Sequence, residues 1–254
     1  MKLDKNYDEQ FTLMLKTYCN EQKMLEKEYV SFYPQVGKEF QKELDILFIG
    51  RAVNGWGTET LPTFSNKKLT SKINDSYFQG IKEYSTDGTG YINKCPLGWL
   101  VDEWDNYGMG KRPIFRLIRD IAKEHHVKNY SKELEENWTH HFAWSNLYKI
   151  APKNGGNPDA KIEWQTQDDH CEKLIEMELE QLQPKYAIFI TDMNWLIDGE
   201  PYSFIKNAKE EVIIKNDFIE ATYLYNKTKI IITKRPEFRP GEEFFNEIKK
   251  HINL

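Results

Sequence analysis

Four short apolar runs, separated by longer amphipathic segments, constrain the fold more than any other feature of this sequence. They are LDILFIG (Leu44–Gly50), HFAWSNL (His141–Leu147), YAIFIT (Tyr186–Thr191) and KIIITKRP (Lys229–Pro236). Short continuous apolar runs that end in Gly or polar residues are typical of strands buried on both faces. Because helical segments separate the runs, we predict a single three-layer α/β domain with a central, mainly parallel, four-stranded sheet.

Three segments have the composition of the covering helices. These are RPIFRLIRDIAKEHH (Arg112–His126), the stretch from Ile162 to Pro184, and GEEFFNEIKKHI (Gly241–Ile252). In the first of them, Pro113 stands at a first-turn position, where proline is tolerated. Two further apolar pieces, EVIIK and EATYLYN, are predicted to be short antiparallel additions to the sheet.

The 254-residue chain suits one domain with additions. Residues 1–43 are predicted to be an N-terminal helical extension, with a helix from about Tyr7 to Tyr29, and residues 44–254 to be the α/β domain. Residues 51–110 interrupt that domain with many Gly, Ser, Thr and Asn among scattered aromatic residues. A loop of this length inside a compact domain is usually functional or disordered, so we interpret it as an insertion.

Composition excludes several classes of protein. The net charge of −5 argues against a uniformly basic nucleic-acid-binding surface, although a local basic groove remains compatible with it. The three cysteines are far apart and form no Cys-x-x-Cys pair, so neither a zinc site nor a disulfide framework is expected. No signal peptide and no run of membrane-spanning length is evident, and we therefore expect a reduced, cytoplasmic protein that does not bind a membrane.

Polar residues follow the predicted strands at the point where each strand ends. Because ligands bind beyond the carboxyl ends of the strands in such sheets, these residues are candidates for a binding site. Strand ends also meet solvent and are polar for that reason alone, so a single polar residue at a strand end does not by itself indicate a binding site. The candidates are Arg51, Asn54 and Trp56 after the first strand, Asn146 and Lys149 at the second, and Lys234, Arg235 and Arg239 after the fourth.

The segment NLYKIAPKNGGNP resembles the middle of the uracil-DNA glycosylase superfamily, together with the helix after it, which ends in QLQPK and leads into the strand YAIFIT. The similarity is closest to the iron–sulfur branch, in which a strand ends in Asn-x-x-Lys before a Pro-containing loop. ILFIG resembles the first motif of the superfamily, KRPIFRLIRDI a helix start, and IIITKRPEFR the last motif. The resemblance covers residues 44–252 approximately and implies a uracil-DNA glycosylase-like fold.

The resemblance also implies roles for the residues at the strand ends. Asn146 matches the residue that recognises the flipped base, and an amide offers both a donor and an acceptor to the O4 and N3–H of uracil. Trp56 and Arg51 are further candidates for contacts with the base. Lys149, Lys234 and Arg239 are candidates for binding phosphate, a contact that positions nucleic acid without reading its sequence.

Both catalytic motifs of the superfamily are altered. Arg51 and Ala52 occupy the places of the residue that positions the attacking water, and arginine stays protonated and cannot act as a base. Asn54 lies nearby and is a candidate replacement. Arg235 stands where the superfamily has a histidine that stabilises the departing base, and a well-placed cation can stabilise such a charge.

The thiolate ligands of an iron–sulfur cluster are also missing. Cys171 matches one ligand position, but Ile150 occupies a second, and the sequence has no N-terminal cysteine pair. A cluster needs four such ligands. We therefore expect no cluster, no metal and no other cofactor, and Cys171 is expected to be a packed helix residue.

Three hypotheses remain open on the sequence. The first is a glycosylase-like protein that binds a nucleobase in nucleic acid, most simply DNA, with glycosylase activity that is weak, altered or absent. The second is an active DNA N-glycosylase for a deaminated or damaged base, in which Arg235 replaces the histidine. The third is a pocket for a free nucleotide or another small phosphorylated ligand, bound by Arg51 and Arg235.

Overall fold

The part of the chain that the structure describes contains five α-helices and ten β-strands. The computed structural model describes residues 3–21, 28–52, 63–65, 97, 100, 111–130, 138–154, 156–158, 161–196, 200–207, 211–213 and 216–253. The helices are α1 (Lys5–Glu21), α2 (Pro113–Asn129), α3 (Lys161–Leu182), α4 (Ser203–Lys206) and α5 (Gly241–Ile252). The strands are β1 (Glu28–Ser31), β2 (Gln35–Val36), β3 (Ile46–Gly50), β4 (Thr63–Ser65), β5 (Phe142–Asn146), β6 (Ile150–Pro152), β7 (Tyr186–Ile190), β8 (Glu211–Ile213), β9 (Ile219–Tyr225) and β10 (Thr228–Thr233).

The main sheet has seven strands in the order β2-β5-β3-β7-β10-β9-β8. Its central four strands, β5, β3, β7 and β10, are parallel and correspond to the four apolar runs. The mixed α/β class and the parallel centre are thus confirmed, whereas the predicted total of four strands is too small. β9 and β8 add an antiparallel edge on one side, as EATYLYN and EVIIK predicted, and β2 adds one on the other.

Helices cover both faces of the main sheet, which explains why its central strands are apolar at nearly every position. Leu47 and Ile49 of β3 point into a core that the apolar faces of α1 and α3 complete. Ile46 and Phe48 point the opposite way, into a core shared with α2 and α5. Successive side chains of a strand alternate between faces, so a strand between two helical layers needs apolar residues at both.

The N-terminal segment differs from the predicted helical extension. α1 spans Lys5–Glu21, whereas Tyr29, the expected end of the helix, belongs to β1 (Glu28–Ser31), and β2 (Gln35–Val36) follows it. β1 lies between β4 and β6 in a separate three-stranded antiparallel sheet, while β2 joins the edge of the main sheet by pairing with β5. Pairing with strands distant in the sequence thus overrides the local helical pattern.

A cluster of imidazole rings lies near the amino ends of β3 and β5. Asp45 is fully buried. Its Oδ1 accepts a hydrogen bond from the hydroxyl of Tyr130 (2.6 Å) and also lies 3.0 Å from Nε2 of His125. His126 is also fully buried, stacks on Tyr130, and packs 4.9 Å from the ring of His141. Both ring nitrogens of His126 lack a hydrogen-bond partner within the described ranges. Burial first, and then the neighbouring histidines, lower the pKa of His126.

We expect this cluster to make the protein less stable in mild acid. The unfolded chain binds a proton on each histidine near pH 6.5, whereas folded His126 remains neutral to a lower pH. Between those two pKa values the unfolded state binds more protons, so stability falls as the pH falls, by at most about 1.4 kcal/mol per pH unit for one histidine.

His126→Phe keeps a flat ring against Tyr130 and removes this proton uptake. Its loss of stability between pH 7.5 and 5.5, measured by urea unfolding, should therefore be smaller than that of the wild type. His251→Gln removes a partly exposed imidazole from α5 and serves as the control. An equal loss of stability in the wild type and His126→Phe would contradict the assignment to His126.

Candidate functional site

Polar side chains from four adjacent strands meet at one edge of the main sheet. Asn146 ends β5, Arg51 follows β3, Asp192 follows β7 and Arg235 follows β10. These four strands are parallel neighbours in the order β5-β3-β7-β10, so their carboxyl ends lie side by side. We call this set of four residues the carboxyl rim. It is the location at which α/β sheets bind ligands.

Asn146 presents a buried amide at this rim. The residue is 2% exposed, and its Nδ2 has no hydrogen-bond partner among the residues that the structure describes. Its Oδ1 lies only 2.5 Å from the position that a Cβ atom on Gly50 would occupy. Gly50 pairs with Asn146 across the parallel ladder, so only a residue without a side chain leaves room for this conformation of the amide. A buried amide N–H without an acceptor is costly, and a bound ligand could satisfy it.

Three contacts fix the side chain of Arg51 within the rim. Its Nε donates to the backbone carbonyl of Thr191 (2.7 Å), its NH2 group forms an ion pair with Asp192, and its guanidinium lies 4.6 Å from the ring centroid of Trp195. Burial lowers the pKa of Arg51, and the charge of Arg235 lowers it further against the opposing effect of Asp192. The two arginines lie close enough for their charges to repel, and each is compensated by a carboxylate, Arg51 by Asp192 and Arg235 by Glu237.

Arg235 is paired with a carboxylate two residues further along the chain. Its NH2 and Nε (2.8 Å) donate to the two carboxylate oxygens of Glu237 in a bidentate arrangement. Its backbone N–H donates to Oδ1 of Asp192 (3.0 Å), which connects the ends of β7 and β10. Burial alone would raise the pKa of Glu237, but the hydrogen bonds and charge of Arg235 outweigh burial and hold that pKa below its usual range.

The loop between β10 and α5 carries the other basic candidates. The side chain of Arg239 restrains the loop through two hydrogen bonds. Its NH1 donates to the carbonyl of Arg235 (2.5 Å), and its Nε donates to the carbonyl of Asp217 (2.9 Å). Lys234 is partly exposed, and its ammonium has no partner within the described part of the chain. Phe238 stands between them with a positive φ of 63° and is fully exposed. An exposed aromatic residue between arginines is available to stack on a flat ligand.

Lys149 does not lie where a phosphate could reach it. Its side chain is fully buried, and its Nζ donates to Ser145 Oγ (2.6 Å) and the carbonyl of Asn146 (2.7 Å). The third contact is an ion pair of 2.6 Å with Glu178 of α3, which is also fully buried. A lysine ammonium has three donors, and these contacts use all of them. The phosphate-binding role expected of Lys149 is therefore corrected to a structural position beneath Asn146.

The structure thus brings Asn146, Arg51 and Arg235 together at the rim and places Lys234 and Arg239 beside it. Asn54 and Trp56 lie outside the described residues. Asp192, Glu237 and Phe238 stand at the predicted strand ends but were given no role from the sequence, and Trp195 was not identified. The short spacing in Arg-Pro-Glu-Phe-Arg was a usable signal for Glu237, because a carboxylate two residues from an arginine can pair with it.

Cys171 lies in the core between α3 and α1. It is 1% exposed, and its sulfur packs 3.9 Å from that of Met14. Burial raises the pKa of its thiol to about 12. A neutral, fully packed thiol behaves as a small apolar side chain.

Fold and rim together define a mixed α/β protein with a polar site at the carboxyl ends of a parallel sheet. No protein-family model matches this chain, and no curated protein matches it significantly. Within the described ranges, no helix is both long and apolar enough to cross a membrane.

Proposed function

We propose that this chain is a uracil-DNA glycosylase-like protein that binds a nucleobase in nucleic acid, with N-glycosylase activity that is weak, altered or absent. The observation that carries this proposal is the amide of Asn146. It is buried at the carboxyl rim, and its Nδ2 lacks an acceptor among the described residues. A base edge that offers a carbonyl acceptor and an N–H donor would satisfy both atoms of such an amide.

The carboxylates at the rim support weak rather than efficient hydrolysis. Asp192 accepts from the backbone of Arg235 with one oxygen and from Arg51 with the other. Glu237 accepts from Arg235 with both oxygens. A carboxylate whose two oxygens already accept hydrogen bonds from arginine is poorly placed to take a proton from water. Neither Asp192 nor Glu237 is therefore a free base that would replace the one absent at Arg51 and Ala52.

The pairing of Arg235 also weighs against the hypothesis that it replaces the catalytic histidine. A guanidinium whose charge is compensated by Glu237 stabilises a departing base anion less than a free one does. The same argument applies to a free phosphorylated ligand. Arg51 and Arg235, the residues expected to bind its phosphate, each already have a carboxylate partner.

Phe238 favours a nucleic acid over a free nucleotide. Its ring is fully exposed and lies outside the rim, on the loop that also carries Lys234 and Arg239. Stacking on a neighbouring base of a strand would use an exposed ring of this kind, and the two basic residues on the same loop would contact the phosphates that flank that base. A single nucleotide held at Asn146 offers no second base for such a contact.

The proposal is tested by measuring binding and abasic-site formation on single- and double-stranded oligonucleotides that carry uracil, hypoxanthine or xanthine. We expect measurable binding that weakens with salt, because phosphate contacts release counterions, and little or no cleavage. Asn146→Ala should lose discrimination between bases, whereas Asn246→Ala, an exposed asparagine on α5, should not. Rapid cleavage that Arg235→Ala abolishes would establish the active glycosylase instead. Binding of free nucleotides but of no oligonucleotide would establish the small-ligand pocket.

Phe238→Ala should weaken binding to single-stranded oligonucleotides by about five- to 150-fold, which corresponds to the roughly 1–3 kcal/mol of one base–aromatic stack. Since the ring is fully exposed, the melting temperature should not change. Leu13→Ala removes another exposed apolar side chain, on α1, and should leave binding unaltered. Fluorescence anisotropy with a labelled strand measures the effect, and equal affinities for Phe238→Ala and the wild type would remove the stacking role.

A further inference from the structure

A chain of buried polar contacts extends from α1 to the backbone of Asn146. The hydroxyl of Tyr7 donates to Glu178 Oε1 (2.6 Å), and the same oxygen pairs with the ammonium of Lys149 (2.6 Å). That ammonium in turn donates to the carbonyl oxygen of Asn146 (2.7 Å). Tyr7, Glu178 and Lys149 are all fully buried. The contacts therefore act where water does not compete with them.

Stability alone does not account for this ion pair. Removing a lysine and a glutamate from water costs several kcal/mol per ion, and apolar residues of similar volume often serve a core equally well. The pair does, however, supply something that an apolar pair cannot. It provides a rigid donor to the backbone carbonyl of Asn146, the last residue of β5 and a member of the rim.

Lys149 completes the restraints on this turn of the chain. The backbone N–H of Leu147 donates to the carbonyl of Gly50 (2.8 Å), and that of Tyr148 to the carbonyl of Arg51 (2.9 Å). These bonds hold the residues after Asn146 against β3. The carbonyl of Asn146 belongs to the same peptide unit as the N–H of Leu147, and it is held by Lys149. Both polar atoms of this unit are therefore restrained directly beside the Cα atom that carries the side-chain amide.

We propose that Lys149, held by Glu178, is a positioning residue that fixes the amide of Asn146 for recognition of a base. This inference rests on the proposed function, because it assigns Lys149 to the same site. It gives the α1 segment a role in that site, since Tyr7 of α1 donates to the carboxylate that holds Lys149. It also gives a reason for the presence of a buried lysine three residues after the asparagine.

The test replaces both charged residues in the variant Lys149→Met/Glu178→Met, which leaves no unpaired buried charge. A second variant, Lys149→Met/Glu178→Gln, retains an acceptor for Tyr7 and is used if the first does not fold. The side-chain amide signals of Asn146 in ¹H–¹⁵N spectra, assigned by their absence in Asn146→Asp, report on its position. Affinity for a uracil-containing single strand is measured on the same samples.

We expect the amide signals of Asn146 to shift and to exchange faster with water in the variant, and the affinity to fall by about tenfold or more, because recognition depends on sub-ångström placement. Tyr29→Phe is the matched control. It removes another buried tyrosine–glutamate bond to α3, that of Tyr29 with Glu163 (2.9 Å), and should leave both readouts unchanged.

Unchanged amide signals in the variant would overturn the positioning role whatever the affinity. Shifted signals with an unaltered affinity would overturn it as well. If the wild type binds none of the uracil, hypoxanthine or xanthine strands, the proposed function fails. The amide signals would then still decide whether Lys149 fixes Asn146, so the two failures are distinguishable.

Discussion

Gly50→Ala should lower the affinity for a uracil-containing strand by about 100-fold while the protein remains folded. The substitution should displace the amide of Asn146, and a displacement of about 1 Å at such a group has effects of this size. The added Cβ would lie 2.5 Å from Oδ1 of Asn146, closer than two such atoms can approach. The asparagine side chain is short and buried, so it must rotate away from its present position. Both hydrogen-bonding atoms of the amide then leave the places that a base edge would meet.

The change should also cost stability, by about 1–3 kcal/mol, as is usual when extra atoms enter a packed site. Binding to a uracil-containing strand and thermal unfolding are measured together. Gly241→Ala is the matched control, since its new Cβ would come no closer than 3.4 Å, to the flexible end of Arg116. If Gly50→Ala folds and binds as tightly as the wild type, Asn146 does not recognise the base.

The parallel centre of the sheet was predictable because its strands carry their own signal. Each is five or six residues long and apolar on both faces, as a strand between two helical layers must be. β1, β2 and β6 gave no such signal. They are two to four residues long, and they exist because they pair with strands distant in the sequence, as Tyr29 of β1 does with Pro152 of β6. Such pairing is a tertiary property that a local pattern does not contain.

The location of the rim was predictable, but the pairing of its charges was not. Parallel strands bring their carboxyl ends to one edge, which placed Asn146, Arg51 and Arg235 together from the sequence. Which carboxylate meets which guanidinium depends on the turns after each strand. Asp192, for example, reaches both arginine residues from a backbone with a positive φ of 63°.

Lys149 shows most clearly which features of the site could not be predicted from the sequence. A lysine three residues after a strand end is expected to point into solvent, yet the hydrogen bonds of Leu147 and Tyr148 to the end of β3 turn the chain so that Lys149 enters the core. A signal did exist, since the lysine stands in NLYKIAP between apolar residues. α3 also places a glutamate, Glu178, on its buried face. Two isolated charges on buried segments predict that they pair with each other.

Glu178→Ala should therefore destabilise the protein strongly, by about 3–5 kcal/mol, since removal of one partner leaves the other charge buried without compensation. Lys149 has 0% side-chain exposure, so water cannot take the place of the missing carboxylate without opening the core. Urea unfolding measures the change. Lys227→Ala is the control, because its ion pair with Glu43 has a similar length of 2.7 Å but is exposed, and it should cost less than about 1 kcal/mol.

The double variant Lys149→Met/Glu178→Met should recover most of this loss, because it removes the cost of burying both charges together with their attraction. The two single variants, Lys149→Met and Glu178→Met, complete a double-mutant cycle with it, and the cycle should give a coupling energy of about 1–3 kcal/mol. A double variant as unstable as the worse single variant would contradict the pairing of these charges. A stable double variant with impaired recognition would instead mean that the ion pair is retained for the placement of Asn146 rather than for the stability of the fold.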